Sequence, residues 1–191
     1  RLLRDAVSVS FNMLSVDSDT STSDTCAILA NGLAGDVPLA RLRDTLVAGC
    51  TRMTEILAGD GEGAKHLLAA TVRGAASDVD ARVIAKSLVN SPLVKTMVAG
   101  ADPNVGRLLM AVGKKAHCVI HADSTDAWIN GHAAVRGGVR VDFDDQTVRK
   151  ALTHEVVDLE VALGVGDARA TAYGCDLTQG YIDENAAYYS S

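Results

Sequence analysis

The sequence predicts an α+β domain in which helices are layered against a mixed, largely antiparallel sheet. Apolar residues recur at helical spacing through much of the chain, and short apolar runs separate these stretches. Hairpin signals dominate the last third, which favours antiparallel strands. No internal repeat, low-complexity tract or linker divides the 191 residues, so residues 1–191 are expected to form one domain.

The N-terminal part is predicted to contain a helix end and two short strands. Residues 1–11 have the apolar spacing of a helix. Met13–Val16 and Thr25–Ala30 are apolar runs that suit strands, and an Asn-Gly turn follows the second run. The loop between these runs is dense in Asp, Ser and Thr, whose side chains bond nearby backbone groups.

The clearest helix is predicted between Asp36 and Gly59. Asp36 is a suitable cap, Pro38 suits the first turn, and Gly59 ends the pattern. Apolar residues at steps of three and four form one stripe: Leu39, Leu42, Leu46, Cys50, Met53 and Leu57. Such a stripe is typical of a helix face that packs against a core.

Strands and helices interleave in the middle of the chain. A strand is predicted at 66–72, and a helix follows the capping-box-like run Ser77–Asp80 and ends before Pro92. Residues 93–99 fit either a helix or a strand, and residues 107–112 fit a short helix.

Strands are expected to dominate after residue 117. Asn130-Gly131 marks a hairpin, and residues 146–155 fit a helix. The ranges 139–143, 157–163 and 168–175 suit strands, the second because apolar and polar residues alternate along it.

Composition and charge exclude several functions. The net charge of −6 and the pI near 5.3 argue against a nucleic-acid partner. The chain has no apolar run of about 18 residues and no signal-peptide pattern, so neither a membrane span nor secretion is expected. The four cysteines form no CxxC pair and suit thiols of a cytoplasmic protein.

The loop Gly59–Lys65 is the first candidate site. Its three glycines allow positive φ and close approach to a ligand, and they place Glu62 at the centre of the loop. The alternative is a helix C-cap and turn with solvated charges. A dinucleotide fingerprint is rejected because the strand–helix order is reversed, and a phosphate loop because no Ser or Thr follows Lys65.

Two other patterns give weaker evidence of a functional site than the loop Gly59–Lys65 does. The loop after Asp17 has Thr22 and Ile28 where a calcium loop needs Gly and Glu, and an aspartyl nucleophile there lacks a phosphate loop or acidic metal pair. His117 and His121 could share one strand face, but zinc needs three or four ligands, so no metal site is expected.

Six runs occur in one order over the whole length: Asp17–Thr25, Asp60–Ala64, Asn90–Thr96, Asp102–Arg107, Cys175–Thr178 and Asn185–Ser190. Together they resemble the ornithine acetyltransferase family, the glutamate N-acetyltransferases of the cyclic arginine pathway. Each run is a weak signal alone, but six in family order are a strong one. Thr20–Thr25 and Asn31–Gly35 look most like the paralogue found in clavulanic acid clusters.

The resemblance implies a protein that cuts itself before a threonine, as N-terminal-nucleophile-like enzymes do. That threonine would begin the C-terminal β chain and act as the nucleophile, and this chain looks like such a β chain without its first stretch. No catalytic residue is therefore expected here, since the nucleophile would lie upstream of Arg1. The oxyanion residues would belong to an α chain from the same precursor, in an α2β2 or larger assembly.

The implied reaction carries acetyl from N-acetylornithine to the threonine and then to glutamate, by a ping-pong mechanism. Carried over by position, Glu62, Asn185 and Ser190 bind the amino-acid substrate, and Lys65 is structural. The C-terminal tail, about 176–191, would complete the site. No cofactor is implied, with acetyl-CoA as an alternative acetyl donor.

Two departures from the family pattern bear on the substrate. Val105 replaces the tryptophan of the Asp-Pro-Asn-Trp-Gly run, and Gly63-Ala-Lys-His66 replaces Gly-Ala-Thr-Lys. Three alternatives stay open: an autoprocessed amidohydrolase or aminopeptidase that passes the acyl group to water, a secondary-metabolism paralogue with another acyl acceptor, and a paralogue without catalysis.

Overall fold

The structure of the chain, a computed structural model, describes residues 1–33 and 35–187. Helices and strands interleave in these residues. The helices are α1 (Leu2–Val9), α2 (Leu39–Gly59), α3 (Asp78–Val89), α4 (Pro92–Ala99), α5 (Gly106–Gly113), α6 (Asp145–Ala151) and α7 (Gln179–Ala187). The strands are β1 (Leu67–Ala75), β2 (Asp126–Ile129), β3 (His132–Arg136), β4 (Val139–Arg140), β5 (Val156–Ala162) and β6 (Ala168–Cys175).

The six strands form one sheet in the order β4-β3-β2-β5-β1-β6. Only the β1–β5 pairing is parallel among the described strands, and the other four pairings are antiparallel. The prediction of an α+β fold with a mixed, largely antiparallel sheet is therefore confirmed. Strand β1 lies next to the edge strand β6, and the candidate loop enters the sheet through β1.

One face of the sheet is buried under helices. Leu68, Ala70 and Val72 of β1 are fully buried, and they belong to the same apolar cluster as Ile84 and Leu88 of α3. Burying apolar surface stabilises a fold by about 25 cal/mol for each Å² removed from water. The alternate residues of β1 point to the opposite face, where the side chains are only partly covered.

The opposite face of the sheet is polar. The guanidinium of Arg73 lies 4.8 Å from the ring centre of Trp128, and that of Arg136 lies 4.4 Å from the same ring. Arg73 also pairs with Glu160 on the neighbouring strand β5 at 2.5 Å. Cross-strand contacts of this kind order a sheet face that is exposed in this chain.

The prediction for α2 is right in position but only partly right in face, because Cys50 is the one buried member of the predicted stripe. The helix buries Cys50, Thr54 and Ala58, whereas Met53 of the predicted stripe is 56% exposed. The reason is that α2 packs against α1 and against β6 and β1 at one border of the sheet. These contacts bury a helix face that lies beside the most apolar one. On the buried face, the hydroxyl of Thr54 donates a hydrogen bond to Cys50 O at 2.8 Å.

Two predicted strands are absent from the structure. Phe11–Met13 forms a 3₁₀ turn, and only a single bridge between Leu14 and Tyr173 joins the next residues to β6. Thr25–Ala30 has no regular secondary structure, and Leu29 within it is 97% exposed. A strand needs a neighbouring strand for its backbone hydrogen bonds, and none of the described residues pairs with this run.

Smaller corrections concern helix ends. Asp36 does not cap α2, whose N-cap position is Pro38. The ambiguous range 93–99 is helical, as α4, and α6 ends at Ala151 instead of residue 155. Ser77 does cap α3, since its hydroxyl accepts from Asp80 N at 3.1 Å.

No helix in residues 1–33 and 35–187 is long and apolar enough to span a membrane.

Candidate functional site

The candidate loop lies between α2 and β1. The amide of Asp60 still donates to Ile56 O at 3.0 Å, and Ala64 N donates to Gly61 O at 2.9 Å, which closes a tight turn around Glu62. Gly63 takes a φ of +64°, a conformation that side chains with a Cβ rarely adopt. The sequence therefore holds the exposed Glu62 side chain at the tip of a defined turn.

The C-terminal tail returns to this loop. After β6, residues 176–178 lead into α7, and the side-chain amide of Asn185 donates to the Glu62 carboxylate at 2.6 Å. The same amide also donates to Tyr181 O at 2.9 Å, which fixes the Asn185 side chain on its own helix. Two predicted site residues are thus brought into contact, while Ser190 lies outside the described residues.

Asp176 ties the loop to the end of β6. Its side chain is buried, and Oδ1 accepts from Lys65 N at 2.9 Å and from His66 N at 3.1 Å. The other oxygen, Oδ2, lies 2.9 Å from His66 Nδ1. A buried carboxylate that receives several hydrogen bonds is a strong anchor. Sequence reasoning gave Asp176 no role, although it stands in the quoted run Cys175–Thr178.

A buried lysine joins the start of residues 17–24, which we call the Asp-rich loop, to the end of β6. Lys95 of α4 is 4% exposed, and its ammonium donates to Val16 O at 2.7 Å and to Cys175 O. Burial raises the pKa of the Cys175 thiol, and the nearby ammonium opposes that shift. A thiol with a raised pKa is a poor nucleophile near neutral pH, so Cys175 serves packing.

Tyr181 of α7 contacts the Asp-rich loop. Its hydroxyl donates to Asp17 Oδ2 at 3.4 Å, and burial together with the Asp17 charge raises the pKa of this phenol. Tyr181 also lines a cavity of about 130 Å³, together with Lys95 and Asn90. The buried Oδ1 of Asn90 has no hydrogen-bond partner among the described residues, and a cavity of this size accommodates water.

The arrangement presents a carboxylate and an amide side by side. A carboxylate has about four lone-pair sites, so Glu62 can accept from Asn185 and still bind an ammonium group. The amide oxygen of Asn185 stays available as an acceptor. In the described part of the chain, no three His, Cys, Asp or Glu side chains are grouped so that they could hold a metal ion.

The first family departure lies away from this pair. Val105 is 4% exposed and belongs to the apolar core, so replacing tryptophan by valine changes core packing. The second departure lies in the loop itself. Lys65 contributes only its backbone amide to Asp176, which any residue except proline could supply, whereas His66 contributes both its backbone amide and its ring nitrogen Nδ1.

Known proteins match the chain along its whole length. The sequence model described as "ArgJ family" matches residues 1–190. The arginine biosynthesis bifunctional protein ArgJ of Rhodococcoides fascians is 44% identical over 190 residues, which cover 98% of this chain and 47% of that protein. The glutamate N-acetyltransferase Oat2 of Streptomyces clavuligerus is 40% identical, over 98% of this chain and 49% of its own length. The chain thus spans about half the length of these relatives.

A solved structure supports the same conclusion about fold. The crystal structure of the arginine biosynthesis bifunctional protein argJ from Bacillus halodurans superposes with a TM-score of 0.94 and 34% identity. The match covers 98% of this chain and 91% of the solved chain, so the two chains are nearly equal in length. The family predicted from the six sequence runs is confirmed: the chain belongs to the ArgJ family.

Proposed function

We propose that this chain is one part of an acetyltransferase that moves acetyl from N-acetylornithine to glutamate. The observation that carries the proposal is the contact between Glu62 and Asn185, which pairs a carboxylate with an amide at one exposed site. Membership of the ArgJ family supports the reaction class, since one relative is named a glutamate N-acetyltransferase.

The two groups suit the charged ends of an amino acid. The carboxylate of Glu62 and the free amide oxygen of Asn185 would accept hydrogen bonds from the substrate ammonium, and Ser190 would donate to the substrate carboxylate. Donor and acceptor each carry an α-carboxylate and one ammonium group, so a single pocket can serve both halves of a ping-pong reaction. Charge complementarity of this kind orients the reacting amine at a fixed distance from the acyl group.

The covalent steps would run through a threonine in the part of the protein that this chain does not span. Its hydroxyl would attack the acetyl carbonyl of N-acetylornithine, and the ornithine amine would leave with the hydroxyl proton. The amine of glutamate would then attack the acetyl-threonine ester and return a proton to the threonine oxygen. An acyl-enzyme divides one difficult transfer into two easier steps.

The partner would be an α chain from the same precursor, in an α2β2 or larger assembly. Two surfaces support this proposal: the exposed apolar face of α2, with Leu39, Met53 and Leu57, and the exposed apolar run Thr25–Ala30. Apolar surface of this extent is typical of an interface. The near-equal length of the solved Bacillus halodurans chain also supports a protein that functions as two chains.

We further propose that the enzyme is cytoplasmic and needs no resident cofactor. The four cysteines are free thiols, which suits a reducing compartment. Acetyl transfer from one amino acid to another needs no redox or carrier group, although acetyl-CoA could replace N-acetylornithine as the donor.

The test uses the protein made from its complete gene, incubated with N-acetylornithine in the presence and absence of glutamate. We expect ornithine and N-acetylglutamate to form in equal amounts, and a threonine-containing peptide to gain one acetyl group when glutamate is omitted. Release of free acetate at the same rate without glutamate would contradict the proposal and identify an amidohydrolase. The proposal would be refuted if glutamate were acetylated neither with N-acetylornithine nor with acetyl-CoA as the donor.

A further inference from the structure

The candidate loop and the tail cross at two glycines. A Cβ added to Gly63 would lie well inside van der Waals distance of Gly180 C and Tyr181 N, and one added to Gly180 would lie 3.0 Å from Gly63 Cα. Gly63 also has a φ of +64°. The backbone of the loop and the start of α7 therefore touch directly, and we refer to Gly63 and Gly180 as the glycine crossing.

Thr178 bonds both sides of the glycine crossing. Its hydroxyl donates to Gly63 O at 2.6 Å and accepts from Gly180 N at 3.0 Å. One side chain thus satisfies an orphan amide at the start of α7 and fastens that helix start to the loop. The hydroxyl is partly buried, so it has little access to water as a substitute partner.

We propose that Thr178 is a positioning residue that acts through the glycine crossing to set the angle at which α7 carries Asn185 to Glu62. Asn185 lies five residues beyond Gly180, about 7.5 Å along the helix axis, so a tilt of about 15° at the crossing moves Asn185 by about 2 Å. A hydrogen bond of 2.6 Å does not survive such a displacement. The consequence for catalysis rests on the proposed function, whereas the mechanical link rests on contacts alone.

Other contacts keep the tail attached when Thr178 is changed. Asp176 holds the chain just before Thr178 through the amides of Lys65 and His66, and Tyr181 holds α7 through Asp17. Loss of the Thr178 hydroxyl should therefore alter the angle of α7 without detaching it. The expected defect is kinetic, with little effect on folding.

The experiment compares Thr178→Val and Thr178→Ser in the complete protein. Thr45→Val is the matched control, because the Thr45 hydroxyl also donates to a backbone carbonyl, at 2.9 Å, about four helical turns before the end of α2. We expect Thr178→Val to lower kcat/KM for glutamate on the order of tenfold to a hundredfold, mainly through KM. Thr178→Ser should restore most of that loss, and Thr45→Val should change little.

A steric variant tests the crossing independently of the hydroxyl. Gly63→Ala should push α7 away from the loop, whereas Gly131→Ala has a comparable φ of +78° and meets no atom within 4 Å. We expect amide hydrogen exchange of residues 180–187 to rise in Gly63→Ala and in Thr178→Val, and to stay unchanged in Gly131→Ala.

The two readouts separate this inference from the proposed function. Exchange of residues 180–187 that is unchanged in both site variants would overturn the mechanical link, whether or not the wild-type protein transfers acetyl. Increased exchange with unchanged kcat/KM would overturn the positioning role. A wild-type protein without acetyl transfer would refute the proposed function. Hydrogen exchange would still show whether Thr178 and the glycine crossing hold α7 in place.

Discussion

Glu62 and Asn185 are 123 positions apart in the chain, yet the amide nitrogen of Asn185 lies 2.6 Å from a carboxylate oxygen of Glu62. The contact joins the turn after α2 to the helix that follows β6, and β1 and β6 are neighbouring strands. Because β1 starts where antiparallel β6 ends, the loop before β1 and the tail after β6 meet at one edge of the sheet. The topology therefore brings the two candidate site residues together.

Glu62→Gln should reduce kcat/KM for the amino-acid substrate by about tenfold to a hundredfold, because a hydrogen bond to a charged group is replaced by a neutral one. The thermal midpoint should stay close to that of the wild type, since Glu62 is exposed. Steady-state kinetics and a thermal melt check both points. Glu184→Gln, at an exposed position on α7, is the control, and equal activity of both variants would contradict the assignment of Glu62.

Asp176→Ala should lower the free energy of unfolding by about 3 kcal/mol, because it removes a buried carboxylate and leaves the partly buried backbone amides of Lys65 and His66 without their acceptor. Urea denaturation measures this loss. Asp167→Ala, in the exposed turn between β5 and β6, should change the free energy by no more than about 0.5 kcal/mol. A loss for Asp176→Ala no larger than that of the control would show that the carboxylate does not anchor the loop.

Local patterns predicted what local forces determine. The cap of α3 at Ser77 and the Asn130-Gly131 turn between β2 and β3 were readable from a few adjacent residues, and both occur in the structure. The face of α2 was not readable, since the buried Thr54 is less apolar than the exposed Met53. Packing against α1, β6 and β1 decides that face, and such contacts involve residues far away in the sequence.

In the candidate site, too, the sequence predicts what adjacent residues determine and not what distant contacts determine. Spacing alone predicted only a glycine-rich turn around Glu62, and the link to Asn185 came from the resemblance to the family. Asp176 could not be recognised, because a buried carboxylate and a solvated one look alike in a sequence. The apolar residues of Thr25–Ala30 predict a strand, but they do not show which segment would pair with that strand. In the structure the run is exposed and irregular.

Stability should decline in alkaline solution through Cys175. Burial raises the pKa of this thiol in the folded state, so above the ordinary thiol pKa of about 8.5 the unfolded chain holds fewer protons than the folded one. The contribution of the neutral thiol is fully present below that pH and is lost as the pH rises. Urea denaturation at a series of pH values should show a smaller alkaline decline for Cys175→Ala than for wild type.

The exposed Cys26 provides the control for this experiment. Cys26→Ala removes a thiol that is exposed in the folded chain, and the alkaline decline should stay as it is in the wild type. Equal slopes for wild type and Cys175→Ala would show that the decline comes from other groups, such as Tyr173, whose pKa burial also raises.

Met53→Asp should weaken the association of this chain with the proposed α chain while leaving the fold of each chain intact. Met53 is 56% exposed on the apolar face of α2, and an aspartate there would lose its hydration when the surface is covered. Met110→Asp is a close control, since Met110 is 55% exposed but lies on α5, which packs against α3 and α4. Co-purification and light scattering of the complete protein should show dissociation for Met53→Asp only. If neither variant dissociates, the face of α2 is not the interface, and if Met110→Asp alone dissociates, the partner covers the α5 side.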